Sequence, residues 1–212
     1  MTVDAATAER RADLVALCET MGVKCVLIEL AAGRTPSQPM TAHFHRGELA
    51  TVLAEVDAHY GQLVRGGFEV VRVKLEAVAN NVGVPVTDDD ARAFASGRAY
   101  FEFHAKLRLP ISLAATELGS LRALCREHDA HLSLNNRKSD HSKATFDRFV
   151  TLRLRGVGKA HADARFDTLV ASLRENGYEI VGVKRELTIY DSRASLDAGW
   201  LEPDLTTDGE AS

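Results

Sequence analysis

The chain has 212 residues, 45% of them apolar and 26% charged, with a formal net charge of -4, the composition of an ordinary globular protein. No stretch approaches the roughly 18 to 20 apolar residues of a membrane span, and the opening MTVDAATAERRADL has an early acid and no apolar run, so neither a membrane partner nor a leader peptide is expected. Net negative charge argues against a general nucleic-acid scavenger, and Cys18, Cys25 and Cys125, an odd number without metal-type spacing, are expected as buried thiols of a reducing cytoplasm.

In chain order, apolar residues at helical spacing predict helices over 5–21 (Leu14, Leu17, Met21) and 47–66 (Leu49, Val52, Val56, Leu63). Strands are predicted over 23–30, 40–46 and 68–77, and residues 79–98, ANNVGVPVTDDDARAFASGR, read as a linker with a helical turn from Asp88. A strand over 99–109, a helix over 113–128, strands over 130–136 and 148–155, a helix over 158–176 and a strand over 178–190 follow. Gly22, Gly66, Gly67 and Gly177 sit where helix ends favour positive φ. Loops 31–39 and 137–146 occupy equivalent hairpin positions and are long and polar, a common setting for binding residues. Trp200 is expected to pack the tail over a sheet edge, and EPDLTTDGEAS at the end is expected to be disordered.

The chain also repeats itself. Leu63–Glu76, LVRGGFEVVRVKLE, returns as LRENGYEIVGVKREL at an offset of 110 (177 minus 67), and ALCETMGVKCVLIEL from Ala16 is echoed from Ala123 at an offset of 107. The second half reads β-α-β-β-α-β, the order of a ferredoxin-like unit with both helices on one face of an antiparallel sheet. The expected fold is α+β, a tandem duplication: first repeat 1–78, linker 79–98, second repeat 99–191, tail 192–212. Subtracting 107 from residues 99–109 reaches Met1 or earlier, so the first copy is expected to lack its opening strand, whose edge a segment such as the tail after Asp191 would fill.

Alternation along the strands separates a helix-covered face from a polar one. The polar set comprises Tyr100, Glu102, His104, Lys106 and Arg108; His131, Ser133 and Asn135; Thr151, Arg153 and Arg155; Lys184, Glu186 and Thr188; and, in the first copy, Thr41, His43, His45, Arg72, Lys74 and Glu76. Burying so many charges in a dry core costs several kcal/mol per unpaired ion, so the face is expected to be solvated or to line an anion-holding cleft. The plainer reading is a solvated sheet face with cross-strand ion pairs. The concentration of His, Arg and Tyr favours a site instead.

The functional expectation is a cytoplasmic protein that binds, and processes, a phosphorylated or otherwise anionic ligand such as a nucleotide or an RNA end. Nucleic acid would be bound without sequence specificity. His43, His45, His104, His131 and Glu102 are the acid, base or orienting candidates. Arg72, Lys74, Lys106, Ser133, Asn135, Thr151, Arg153, Arg155, Lys184 and Glu186 are the ligand-binding candidates. Two alternatives stand beside it: a non-catalytic small-molecule or assembly module, dimerising through sheet edges, and a metal enzyme using His43, His45, Glu102 and His104. No cofactor is specified. There is no P-loop, dinucleotide fingerprint or nucleophile elbow, and GVGKA at 156–160 places backbone amides at a helix start, where turn formation is the plainer role than anion binding.

His131-Leu132-Ser133-Leu134 is similar to the His-x-Thr/Ser strand motif of the 2H phosphoesterases, which set two such motifs across a cleft in a duplicated α+β fold. The partner would be His43-Phe44-His45, 88 residues earlier (131 minus 43), although His45 replaces the second hydroxyl and the two motifs fall on non-equivalent strands. The resemblance implies paired histidines acting as acid and base on a phosphodiester without metal.

Overall fold

A computed structural model describes residues 1–30, 33–94, 98–110, 117–135 and 145–200, with the side chains of Glu117, Leu134 and Asn135 left aside. Its strands are β1 (Thr2–Val3), β2 (Lys24–Leu30), β3 (Ser37–Ala42), β4 (Val70–Arg72), β5 (Lys74–Val78), β6 (Tyr100–Pro110), β7 (Ala130–Asn135), β8 (Thr145–Arg155) and β9 (Glu179–Asp191). The helices are α1 (Ala8–Met21), α2 (Leu49–Arg65), α3 (Asp88–Ala93), α4 (Glu117–Glu127) and α5 (Lys159–Glu175), followed by a 3-10 turn at Ala194–Asp197. Parts of the predicted helix 113–128, loops 31–39 and 137–146 and the final residues lie outside the described residues.

The described strands form one antiparallel sheet in the order β4-β1-β3-β2-β7-β8-β6-β9-β5. The expected missing strand is present: β1 is two residues long and lies between β3 and β4, with Thr2 opposite both Met40 and Arg72. The Met1 amino group anchors it by donating to the Thr41 carbonyl at 2.8 Å, and burial lowers that amine to a pKa of about 6. Each half then has the same strand arrangement, β4-β1-β3-β2 and β9-β6-β8-β7, joined where β2 pairs with β7 through Ile28–Leu30.

The expected strand over 68–77 divides. Its first part, β4, pairs with β1, and its second, β5, pairs with β9. Those are the two ends of the sheet, and only Val73 separates β4 from β5. The sheet therefore curls until its ends meet along one continuous segment. Ser192, just after β9, reinforces the closure: its backbone amide donates to the Val73 carbonyl at 3.0 Å and its hydroxyl accepts from the Val73 amide at 2.9 Å.

The helices cover the outer face. Phe101, Phe103, Ala105, Leu107 and Leu109 of β6 pack with Leu121 and Cys125 of α4 and with Ala162, Phe166, Leu169 and Leu173 of α5. A smaller core joins Leu14 and Cys18 of α1 and Leu63 of α2 to Val3, Cys25 and Phe68. All three cysteines are buried and none is in a disulfide. No helix of the described residues is long and apolar enough to cross a membrane.

The sequence echoes coincide with repeated backbone geometry. Gly67 and Gly177 leave α2 and α5 at φ 76° and 80°, and each is followed by a closing amide, Phe68 to Leu63 O and Tyr178 to Leu173 O, both 3.0 Å. At the offset of 107 (129 minus 22), Gly22 has φ 67° and Asp129 φ 55°.

The linker is folded onto the second half. Thr87 caps α3 through a capping box with Asp90, and the amide of Gly158, before α5, donates to Asp88 Oδ1 at 2.7 Å. This helix start holds a carboxylate of its own chain in the place of an external anion. A Cβ on Gly158 would lie 2.3 to 2.4 Å from backbone atoms of Val86 and Thr87, and those atoms are held by the amides of Lys159 and Ala160 donating to Pro85 and Val86 carbonyls. Gly158→Ala is therefore expected to cost about 1–3 kcal/mol by overpacking, measured as a lower urea midpoint with an unchanged m-value.

Candidate ligand site in the barrel interior

Closure of the sheet turns its polar face inward. In register, Tyr100, Glu102 and His104 of β6 stand opposite Arg155, Arg153 and Thr151 of β8 and opposite Thr188, Glu186 and Lys184 of β9. β7 adds His131 opposite Thr151, β5 adds Lys74 and Glu76 opposite Asp191 and Thr188, and Arg72 enters from β4 beside Thr2. Arg72, Glu102, Thr151, Glu186 and Thr188 are buried. Of the two expectations, a solvated face or one lining a cleft, the solvated one is corrected: most of the face is interior, and its charges are compensated by partners.

Asp197, carried inward by the 3-10 turn, is the hub. Its carboxylate accepts from Arg72 Nη1 and Nη2 at 3.0 Å each, from Arg153 Nη2 at 2.7 Å and from Gln38 Nε2 at 3.0 Å. Arg72 also forms a bidentate pair with Asp191, at 2.8 and 2.6 Å, and the Tyr100 hydroxyl donates to the same carboxylate at 2.6 Å. Arg153 extends to Glu102 at 2.7 Å, and Lys74 bridges Glu102 at 2.5 Å and Glu76 at 2.8 Å. The guanidinium groups of Arg153 and Arg155 both lie 4.4 Å from the Tyr100 ring centre, a cation–π arrangement.

Burial opposes every charge here, and pairing overrides it. Burial is the largest influence on Arg72, Arg153 and Lys74, yet their carboxylate partners raise all three above their ordinary values. Burial pushes Asp191 upward, but Arg72 and Tyr100 bring it to about 2. Burial likewise disfavours the Glu102 carboxylate, and Lys74 and Arg153 hold it well below the usual range. Tyr100 rises to about 12, mainly by burial.

A second zone is less locked. Burial lowers His104, whose Nδ1 lies 3.0 Å from Thr151 Oγ1 and whose Nε2 lies 3.6 Å from Glu102. Burial, with Glu76 nearby, raises Glu186 although Lys184 binds it at 2.6 Å. Glu186 Oε2 and Thr188 Oγ1, side by side on β9 and buried, have no hydrogen-bond partner among the described residues. The Lys184 side chain is half exposed.

Other expected site residues are placed differently. β3 ends at Ala42, and its faces are the reverse of the expectation: Thr41 pairs with Cys25 on the helix side, whereas Met40 pairs with Thr2 on the inner side. His43 and His45 lie beyond the strand and converge with His59 of α2; burial and these two neighbours lower His59. Glu102 and His104 are not part of that group, so the expected four-residue metal set is not assembled. His131 is lowered by burial and by Arg153 and packs 5.9 Å from Trp200, whose indole N–H donates to Leu132 O at 3.0 Å. The two histidine motifs therefore have different neighbours. Lys106 pairs with Asp147 at 2.5 Å toward the far end of β6, Ser133 is buried on β7, and Asn135 closes β7 opposite Ile28.

Sequence reading missed Asp191, Asp197 and Gln38. The available signal was the surplus of inward cations, which demands carboxylates from some other segment. Compared with known proteins, the chain matches no family model, no curated protein and no solved structure at a significant level.

Removing the Asp197 carboxylate leaves two buried guanidinium groups undercompensated, so Asp197→Ala is expected to cost about 3–5 kcal/mol, read by urea denaturation. Asp191, depressed in the folded state, contributes stability that is present above the unfolded carboxylate value of roughly 3.9 and is lost as pH falls through about 2. Asp191→Asn is expected to remove that acid-limb loss, lowering neutral-pH stability while flattening the stability profile below about pH 4.

Proposed function

We propose that the chain is a tandem duplication of a ferredoxin-like unit whose closed polar interior binds a small anionic ligand, with a phosphorylated compound as the class. The matched strand orders and the repeated helix-end geometry support the duplication. The observation that carries the binding reading is the pair of buried, unpartnered side-chain atoms, Glu186 Oε2 and Thr188 Oγ1, beside Lys184 and Lys74. Native interiors rarely leave such atoms without partners. The Thr188 hydroxyl is a donor for an anion's oxygens, burial favours the proton-bearing form of Glu186 that would be a second, and two ammonium groups supply the charge.

This reading narrows the sequence expectation. Arg72 and Arg153 are bound by internal carboxylates and serve as scaffold. Lys184 and Lys74 exchange partners and hold the anion. His104, lowered from its ordinary value by burial, is the candidate base, and Glu186, raised above the ordinary carboxylate range by burial, is the candidate acid, a pairing of opposite shifts suited to phosphoester chemistry. A cytoplasmic setting accords with three buried cysteines outside any disulfide.

The balance of cations and carboxylates in the interior favours a second reading, a binding module without turnover. Assembly through free edges has less support, because β4 and β5, the ends of the sheet, belong to one continuous segment.

The test is a thermal-shift series with inorganic phosphate, pyrophosphate and nucleotides, followed by hydrolysis assays of any compound that stabilises. Lys184→Ala is expected to abolish the shift with little change in the free protein, since its pair with Glu186 is half exposed and such pairs contribute about 1 kcal/mol or less. Glu186→Gln and His104→Ala should retain binding and lose turnover. Binding unchanged in Lys184→Ala would remove the interior as the site; binding without turnover in the unaltered protein would select the module.

A further inference from the structure

We propose that His43, His45 and His59 form a site for a divalent transition metal, with zinc the ion that the ligand set suits best. The three imidazoles arrive from two directions. His43 and His45 are two residues apart on the extended segment after β3, and His59 is on α2, one helical turn after Glu55. One ring nitrogen from each lies within 4.8 Å of the others, and the ring centres are 4.5, 5.0 and 5.5 Å apart.

Tetrahedral zinc with nitrogen ligands at about 2.0–2.1 Å spaces those nitrogens roughly 3.4 Å apart. The observed spread is therefore within about 1.4 Å (4.8 minus 3.4) of a coordination sphere. The segment that has to move follows the end of β3 and carries Gly47 at φ 131°, so closure breaks no sheet pairing.

The fourth member of the cluster fixes the chemistry. His45 Nδ1 is in hydrogen-bond contact with the Glu55 carboxylate, which assigns the proton to Nδ1 and leaves the Nε2 lone pair for a metal. A carboxylate behind a ligating histidine is the recurrent support of zinc sites. An all-imidazole set selects zinc, copper, nickel or cobalt over magnesium and calcium, which take oxygen ligands.

A merely structural histidine stack accounts for the cluster less well. His43 is exposed, so its ring gains little by burial, and protonating three adjacent imidazoles is mutually repulsive. Three protein ligands with one on the solvent side leave a coordination position open to water or substrate. Phe44, between two of the ligands, is 76% exposed and lies 5.3 Å from the Lys184 ammonium. The metal thus sits beside the rim of the barrel interior, yet its binding does not rest on the anion site.

The full chain, treated with a chelator and dialysed, is titrated with zinc against a chromophoric competitor and, separately, with cobalt(II). The expected result is one equivalent of zinc, undisturbed by excess magnesium, and the intense visible absorption of four-coordinate cobalt(II). His59→Gln and His43→Gln should each weaken zinc by about 100-fold or more and Glu55→Gln by about 10-fold. His128→Gln, altering a histidine that instead contacts Ser172 Oγ at 3.0 Å, should change nothing. The exposed His43 keeps the test readable should His59→Gln perturb α2. Absence of stoichiometric uptake, or zinc held equally well by His43→Gln and His59→Gln, overturns the site.

Discussion

The Asp197 carboxylate is the constraint around which the interior is arranged. It binds Arg72 and Gln38 from the first half of the chain and Arg153 from the second, and it reaches them only because the chain turns back after β9. A carboxylate transferred from water into a protein interior is costly, and charge-assisted hydrogen bonds from two guanidinium groups and an amide offset that cost. The same geometry makes the arrangement specific. Any displacement of the 3-10 turn leaves three partners undersatisfied, so the hub selects one docking of the C-terminal segment against both halves.

That segment also explains how a sheet face so rich in charge tolerates closure. An open sheet with this face in water needs no internal pairing. Once β4 and β5 bring the ends together, each cation on the inner face requires a carboxylate at hydrogen-bonding distance, and Glu76, Glu102, Asp191 and Asp197 provide them. Curling is thus coupled to pairing. The Ser192 contacts with Val73 place the turn that delivers Asp197 at the seam itself, so closing the sheet and neutralising its interior are one structural event.

How much of this was legible in the sequence follows from the range of the forces involved. Periodicity is a local signal, and it identified the helices and most strands, including the inward set of β6, because alternation over Tyr100–Pro110 reports directly on two faces. It failed where pairing partners are distant. β1 is too short for any pattern, and Thr41, expected on the polar face, lies on the helix side because a two-residue period on a short strand has no phase marker. The division of 68–77 into strands at opposite ends of the sheet depends on closure, which no local pattern encodes. The inference that the charged face is solvated or lines an anion-holding cleft is sound for unpaired charges. It lacked the aspartates of the segment 189–203, whose inward placement is a tertiary fact. His59 was overlooked for the same reason: a single histidine on a polar helix face acquires meaning only when His43 and His45 are set beside it.

The interior separates into two zones by how its charges are held. Around Asp197, each guanidinium has carboxylates on more than one side, and the network has no group to spare for a ligand without losing a buried partner. Toward Lys184 the balance changes. There the ammonium side chain is half exposed, Glu186 retains an unpartnered oxygen, and burial holds His104 below its ordinary value. In the proposed reading, the rigid scaffold would hold the less locked contacts in position for a ligand. The histidine cluster adjoins the second zone through the contact of Phe44 with Lys184. The residues still able to change partners are therefore gathered at one rim of the barrel, and the locked network behind them keeps that rim in register.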